Sequence, residues 1–171
     1  MKQWIDPKQV HVPDDMLALV NNNRLVAETL VRRGITDPQT FLNPELYTPS
    51  SPYDLPDMQR AVTRVQQAIK DGATICVWGD FDVDGQTSTS LLVSGLRALG
   101  ANVIYYIPHR ERESHGVHIG KLRELIDSGA GLIITCDTGI AAHEAVNYAN
   151  ERGVDVVITD HHQLPETLPD A

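Results

Sequence analysis

The chain has little from which to build a disulfide, a zinc ribbon or a membrane span. Only two of its 171 residues are cysteine. Cys76 and Cys136 both sit inside apolar runs with no CxxC or Cys/His spacing, so they read as buried free thiols. No apolar run approaches the roughly 18 residues of a membrane helix, and the opening MKQWIDPKQV has no apolar core of the signal-peptide kind. A cytoplasmic protein with no membrane partner is expected. Basic residues are also scarce: 14 Lys and Arg stand against 23 Asp and Glu, a net charge of −9. That excludes a generic basic surface wrapped on nucleic acid. It leaves a nucleic-acid enzyme open, because bound divalent ions cancel acidic charge at the site itself.

Residues 1–56 are rich in Pro, Asn and short helical pieces. The stretch MLALVNNNRLVAETLVRRGI ends at the helix-stop Gly34, TDPQTFLNPEL is a capped helix start with Pro behind the cap, and YTPSSPYDLP is an aperiodic linker. The spacing predicts a helical N-terminal arm over 1–56 and a main domain over 57–171. From Asp57 the pattern is regular. DMQRAVTRVQQAIKDG places Met58, Ala61, Val62, Val65, Ala68 and Ile69 on one helical stripe. Apolar strands then follow near 74–79, 102–107, 131–136 and 155–159, separated by the helical segments TSTSLLVSGLRALG, IGKLRELIDSG and IAAHEAVNYANERG. Continuous apolar strands alternating with amphipathic helices predict an α/β domain: an open, doubly wound parallel sheet with helices on both faces.

The polar chemistry stands directly after these strands: Asp80, Asp82 and Asp84 after the first, Asp137 after the third, Asp160, His161 and His162 after the fourth. Sites in open parallel sheets form outside the carboxyl ends of the strands, where strand order reverses. A sheet order of 2-1-3-4 brings all three clusters to one edge. Carboxylates that close cost stability unless a cation lies among them. Carboxylates with imidazoles suit Mn²⁺, Mg²⁺ or Zn²⁺, and the excess of oxygen donors favours Mn²⁺ or Mg²⁺. Two such ions can activate water and neutralise a phosphate under in-line attack, so phosphoester hydrolysis is the expected chemistry.

Two other readings share the first motif. DFDVDGQTSTSL begins like a calcium-binding EF-hand loop, but Leu91 stands where the bidentate Glu belongs and a strand enters it. DVDGQT resembles the DxDGT signature of haloacid-dehalogenase-type phosphatases, but Gln86 breaks that spacing and the double histidine has no role there.

Together, GDFDVDG, IITCDTGI and VITDHH resemble the first three motifs of the DHH phosphoesterase superfamily, in particular its RecJ-type single-stranded-DNA-specific exonucleases. LVRRGITDPQTFLNPEL, LPDMQRAV, YYIPHR and LPDA resemble the N-terminal region of that family in the same order. The resemblance implies two divalent ions, usually Mn²⁺, with Mg²⁺ as the alternative. It implies Asp82 and Asp84 as the main first-motif ligands, Asp80 as a ligand or its close partner, Asp137 as the bridging ligand and His161 as a direct ligand. His162 is implied as ligand or phosphate contact, and Asp160 as the carboxylate that orients a histidine. The implied activity is 5′→3′ degradation of single-stranded DNA to mononucleotides, in DNA repair and recombination. A single-strand-binding protein or a helicase is the implied protein partner.

Departures from the family's pattern qualify this. Where the family shows Glu-Gly-Tyr-Gly after the IPHR segment, this chain has ESHGVH. His115 and His118 read as exposed loop residues with substrate contact as the alternative, and Arg110 as a phosphate contact. Trp78 and Phe81 read as core packing rather than base stacking, and His11 and His143 carry no signal. The family continues with another strand, a fourth-motif aspartate and a second domain across the cleft. The expectation is therefore the N-terminal part of such an enzyme, with one ligand and most of the DNA-gripping surface outside this chain. Two further classes stay open: a small-nucleotide phosphodiesterase of the same superfamily, acting on oligonucleotides or cyclic dinucleotides, and a non-catalytic metal-binding interaction module.

Overall fold

Asparagine and proline shape the first part of the chain. The computed structural model describes residues 5–171, and it divides into two compact units, Met1–Asp54 and Leu55–Ala171. In the first, α1 (Asp14–Leu19) and α2 (Arg24–Arg32) are separated by Asn21 and Asn22, which adopt left-handed backbone that asparagine tolerates better than most residues. Asn23 then caps α2 by accepting the Val26 N–H. Asp37 caps α3 (Pro38–Leu42) through the Thr40 N–H, with Pro38 just inside the helix. Val20, Ala27 and Leu30 form a small core of their own.

The second unit is built on α4 (Met58–Lys70), β1 (Thr74–Trp78), α5 (Val83–Ala98), β2 (Asn102–Tyr106), α6 (Ile119–Asp127), β3 (Ala130–Cys136), α7 (His143–Glu151) and β4 (Asp155–Thr159). The four strands are parallel in the order β2-β1-β3-β4. Their side chains alternate between two cores. Ile75, Val77, Leu132, Ile134 and Cys136 pack with Ala68 of α4 and with Val93 and Leu96 of α5. Cys76, Trp78, Ile133 and Val156 pack with Leu122 of α6 and with Ala145, Val146 and Ala149 of α7. Each fully buried aliphatic side chain contributes about 1.5–3 kcal/mol, so this two-sided burial is what the near-continuous apolar strands are for. Both cysteines are free and buried, and burial pushes the Cys76 thiol up to about 12. Among the described residues no helix is long and apolar enough to cross a membrane.

Two helices begin elsewhere than the sequence predicts, and both shifts matter at the sheet edge. α5 starts at Val83 rather than Thr87, because the Asp82 carboxylate accepts the Gly85 N–H and caps it. α7 starts at His143 rather than Ile140, because residues 140–142 form a turn whose Ile140 N–H is taken by Asp160.

Candidate metal centre

β1, β3 and β4 are neighbours, so the segments that leave their carboxyl ends lie side by side, at the place where strand order reverses beside β1. After β1 the chain folds tightly over the start of α5. A Cβ on Gly79 would lie 1.9 Å from Thr89 Oγ1, and one on Gly85 would lie 2.5 Å from the Asp80 carbonyl oxygen. Glycine at both positions lets the loop close, and it drives Asp80 into the interior, where it is 2 % exposed. Thr89 Oγ1 donates to the Gly85 carbonyl at 2.7 Å and locks the closure.

Asp137 follows β3 with φ 61°, the left-handed region, and its N–H donates to the Thr159 carbonyl at 2.9 Å. Non-glycine residues held there cost energy and cluster at functional sites. His161 follows β4, and its Nε2 lies 2.8 Å from Asp137 Oδ1. Asp160 sits beneath them. Its Oδ2 accepts the Ile140 N–H, and its Oδ1 accepts the His162 N–H and meets His162 Nδ1 at 2.7 Å. Asp160 thus orients His162, not His161. Burial works to raise the Asp160 carboxyl, but those hydrogen bonds outweigh it and hold the group below the usual range. Asp160 in turn raises His162 above the ordinary histidine value.

Among the described residues, two sets of three offer ligand atoms that all lie within 4.8 Å of one another: Asp80, Asp82 and Asp137 in one, Asp137, His161 and His162 in the other. Asp137 belongs to both. Burial, reinforced by the neighbouring Asp82 carboxylate, pushes Asp137 up against the opposing pull of His161. The Gly85 N–H holds Asp82 down. Asp80 Oδ1 and Asp137 Oδ2 are buried without a hydrogen-bond partner, a condition that is costly unless a cation satisfies it. The donors are carboxylate oxygens and imidazole nitrogens only. The residues present fit divalent ions of the Mn²⁺ or Mg²⁺ type.

The predicted residues divide accordingly. Asp80, Asp82, Asp137, His161 and His162 come together, and Asp160 supports them. Asp84 does not join them: it lies exposed in the first turn of α5, because Asp82 as cap turns the next residues into helix. Trp78 is core, its ring tilted by 59° against Tyr106 with centres 4.8 Å apart. Phe81 is not core; His115 stacks on it at 4.1 Å and the Arg110 guanidinium lies 5.4 Å from its ring centre. His115, expected as a loop residue, reaches Asp80 Oδ2 with Nδ1 at 2.7 Å. Nothing in the spacing announces this contact across 35 residues. Nor does it announce Glu113, which accepts the His109 N–H and the Tyr106 hydroxyl and anchors the loop that carries His115. A groove of about 830 Å³ runs from Asp80 and Asp137 past His115 and His118 to the Ile140 turn and His143. Small-molecule pockets span roughly 300–1,000 Å³.

Comparison with known proteins agrees with this fold. A model of the DHH family, N-terminal domain, matches residues 74–171. The chain is similar to the single-stranded-DNA-specific exonuclease RecJ of Bacillus subtilis, with 41% identity over 149 residues, 85% of this chain and 19% of that protein. It is also similar to RecJ of Haemophilus influenzae, with 33% identity over an alignment of 172 positions that covers all of this chain and 29% of that protein. The chain therefore spans less than a third of either relative's length. Among solved structures, exonuclease RecJ bound to manganese superposes with a TM-score of 0.66 at 39% identity, covering 71% of this chain and 31% of that one. RecJ of Thermus thermophilus in complex with Mn²⁺ gives 0.61 at 34%, covering 71% and 17%.

Proposed function

From the premise that the chain belongs to the DHH family, we propose that it carries the metal-binding half of a phosphodiesterase that degrades single-stranded DNA from the 5′ end. The observation that carries this reading is the pair of donor sets sharing Asp137, each with a buried carboxylate oxygen that has no partner. Asp80, Asp82 and Asp137 would hold one ion, and Asp137, His161 and His162 the other, with Mn²⁺ preferred and Mg²⁺ the alternative. Divalent ions there supply Lewis acidity, which acidifies water and neutralises a phosphate. The chain's own residues do the positioning. Asp160 fixes the His162 ring through Nδ1, so that Nε2 is its remaining nitrogen. Asp82 serves two purposes, capping α5 and facing Asp137. Asp84 adds negative charge to the first turn of α5 and sits outside the donor sets.

The groove has room for a terminal nucleotide beside the donor sets, and Arg110, whose guanidinium lies against Phe81, would contact a backbone phosphate. The relatives' substrate makes single-stranded DNA the ligand of choice, in a cytoplasmic enzyme of repair and recombination with a single-strand-binding protein or helicase as its partner. The test uses 5′-phosphorylated single strands and duplexes of the same sequence, with Mn²⁺, on this chain and on the longest product of its gene. This chain should bind single strands weakly and lose them as salt rises. The longest product should release 5′ mononucleotides from single strands and lose that activity on Asp82→Ala or His161→Ala. Cleavage of a dinucleotide with single strands spared would overturn the reading.

A further inference from the structure

We infer that His115 is a positioning residue for the metal centre, holding the Asp80 carboxylate and, through it, clamping loop 107–118 beside the groove. The inference rests on the metal-binding reading above for its first half only. Asp80 has two carboxylate oxygens in a nearly water-free place. His115 Nδ1 takes Oδ2 at 2.7 Å, and Oδ1 is the one left without a partner. The imidazole therefore sets the rotation of the carboxylate, and so which oxygen is free for a cation. His115 is not in either donor set, so it acts through Asp80 and not as a ligand. Its ring is itself held, stacked against Phe81, the residue between Asp80 and Asp82.

The same contact ties down the loop. Loop 107–118 joins β2 to α6 and carries His109, Arg110 and Arg112, interleaved with Glu111 and Glu113. It has two anchors. Glu113 accepts the His109 N–H at 2.6 Å and the hydroxyl of Tyr106, the last residue of β2. His115 on Asp80 is the second. Cutting the second removes the loop's hydrogen bond to the first motif and leaves Glu113, the packing of Val117 and the Arg110 contact with Phe81 to hold it more loosely. Carboxylates that bind metals are hydrogen-bonded by outer partners whose loss typically weakens metal binding about 10–100-fold.

The experiment measures Mn²⁺ affinity of the full chain by titration calorimetry and Mn²⁺ electron paramagnetic resonance, and follows tryptic cleavage after Arg110 and Arg112 without metal. His115→Ala should weaken Mn²⁺ binding by about tenfold or more and speed cleavage. His115→Asn, which keeps a nitrogen donor at the Nδ1 position, should recover most of both. If His115→Ala does not fold, His115→Phe replaces it, since it keeps the stack on Phe81 and lacks the nitrogen. Affinity within about twofold of the parent, or His115→Asn as weak as His115→Ala, would overturn the inference. A parent chain that binds no Mn²⁺ sinks the metal reading instead. The clamp is then judged on cleavage alone, where faster cutting in His115→Ala supports it and an unchanged rate refutes it.

Discussion

Asp137→Asn tests the shared carboxylate most directly, because the substitution should act in opposite directions with and without metal. Without metal, Asp137 is a buried carboxylate with one unpartnered oxygen, facing Asp82. Asn removes the charge, keeps nearly the same shape and tolerates the left-handed backbone at φ 61°. The variant should therefore melt at or above the parent in EDTA. With Mn²⁺ the order should invert. An ion that binds only the folded state adds RT ln(1 + [L]/Kd), about 2.7 kcal/mol at a hundredfold excess over Kd. At roughly 2–4 °C per kcal/mol for a chain of this size, the parent should gain about 5–10 °C. Asp137 is common to both donor sets, so its loss leaves two donors in each. A hundredfold loss of affinity would reduce the gain at the same Mn²⁺ concentration to about 0.4 kcal/mol, on the order of 1 °C. Differential scanning fluorimetry at matched EDTA and Mn²⁺ reads both halves. A variant that melts well below the parent in EDTA, or that gains as much from Mn²⁺, would refute the reasoning.

Two further substitutions probe the scaffold of the site. Gly85→Ala puts a methyl 2.5 Å from the Asp80 backbone, where nothing flexible can yield. It should cost about 1–3 kcal/mol in urea unfolding and weaken Mn²⁺ binding, and a loss under about 0.5 kcal/mol would remove the tight-closure argument. Glu113 is held below the usual glutamate range by the His109 N–H and then the Tyr106 hydroxyl. A carboxylate depressed in the folded state contributes above its unfolded value, roughly 4.3, and that contribution fades as pH falls through the folded value. Amide protection across 109–113 should accordingly drop as the pH is taken below about 4.3, and Glu113→Gln should abolish that pH step. The same step in the variant would assign it to another group.

The sheet was legible from the sequence because its strands are apolar on both faces, which only a covered parallel sheet accommodates. The convergence of the three polar clusters was legible for the same reason, since order 2-1-3-4 is the arrangement that sets β1, β3 and β4 side by side. The division of labour among Asp80, Asp82 and Asp84 was not. Alternate positions on an extended segment would share one side, but Asp82 caps α5 and turns the chain helical before Asp84 is reached. The start of α7 was hidden similarly, because Asp160 captures the Ile140 N–H from another strand end. The loop of residues 107–118 has no periodicity, so neither its Glu113 anchor nor the contact of His115 with Asp80 leaves a trace in spacing.

These hidden contacts are the ones that make the sheet edge a site. Asp137 in left-handed backbone, two buried oxygens without partners and paired carboxylates all oppose folding. They persist because the surroundings leave them no alternative. The Asp137 N–H is taken by Thr159, Asp160 spans the ends of two strands, and Gly79 and Gly85 seat the first motif against Thr89. These supports are main-chain or buried contacts at the sheet edge and the start of α5, and His115 from the loop holds Asp80 beside them. The donor geometry is therefore set before any ion arrives, and a cation that satisfies the free oxygens would turn an opposing contribution into binding affinity. On this reasoning Mn²⁺ should act mainly on the local stability, read as amide exchange, of residues 79–85, 137–142 and 160–162, with little change in the α4 side of the core.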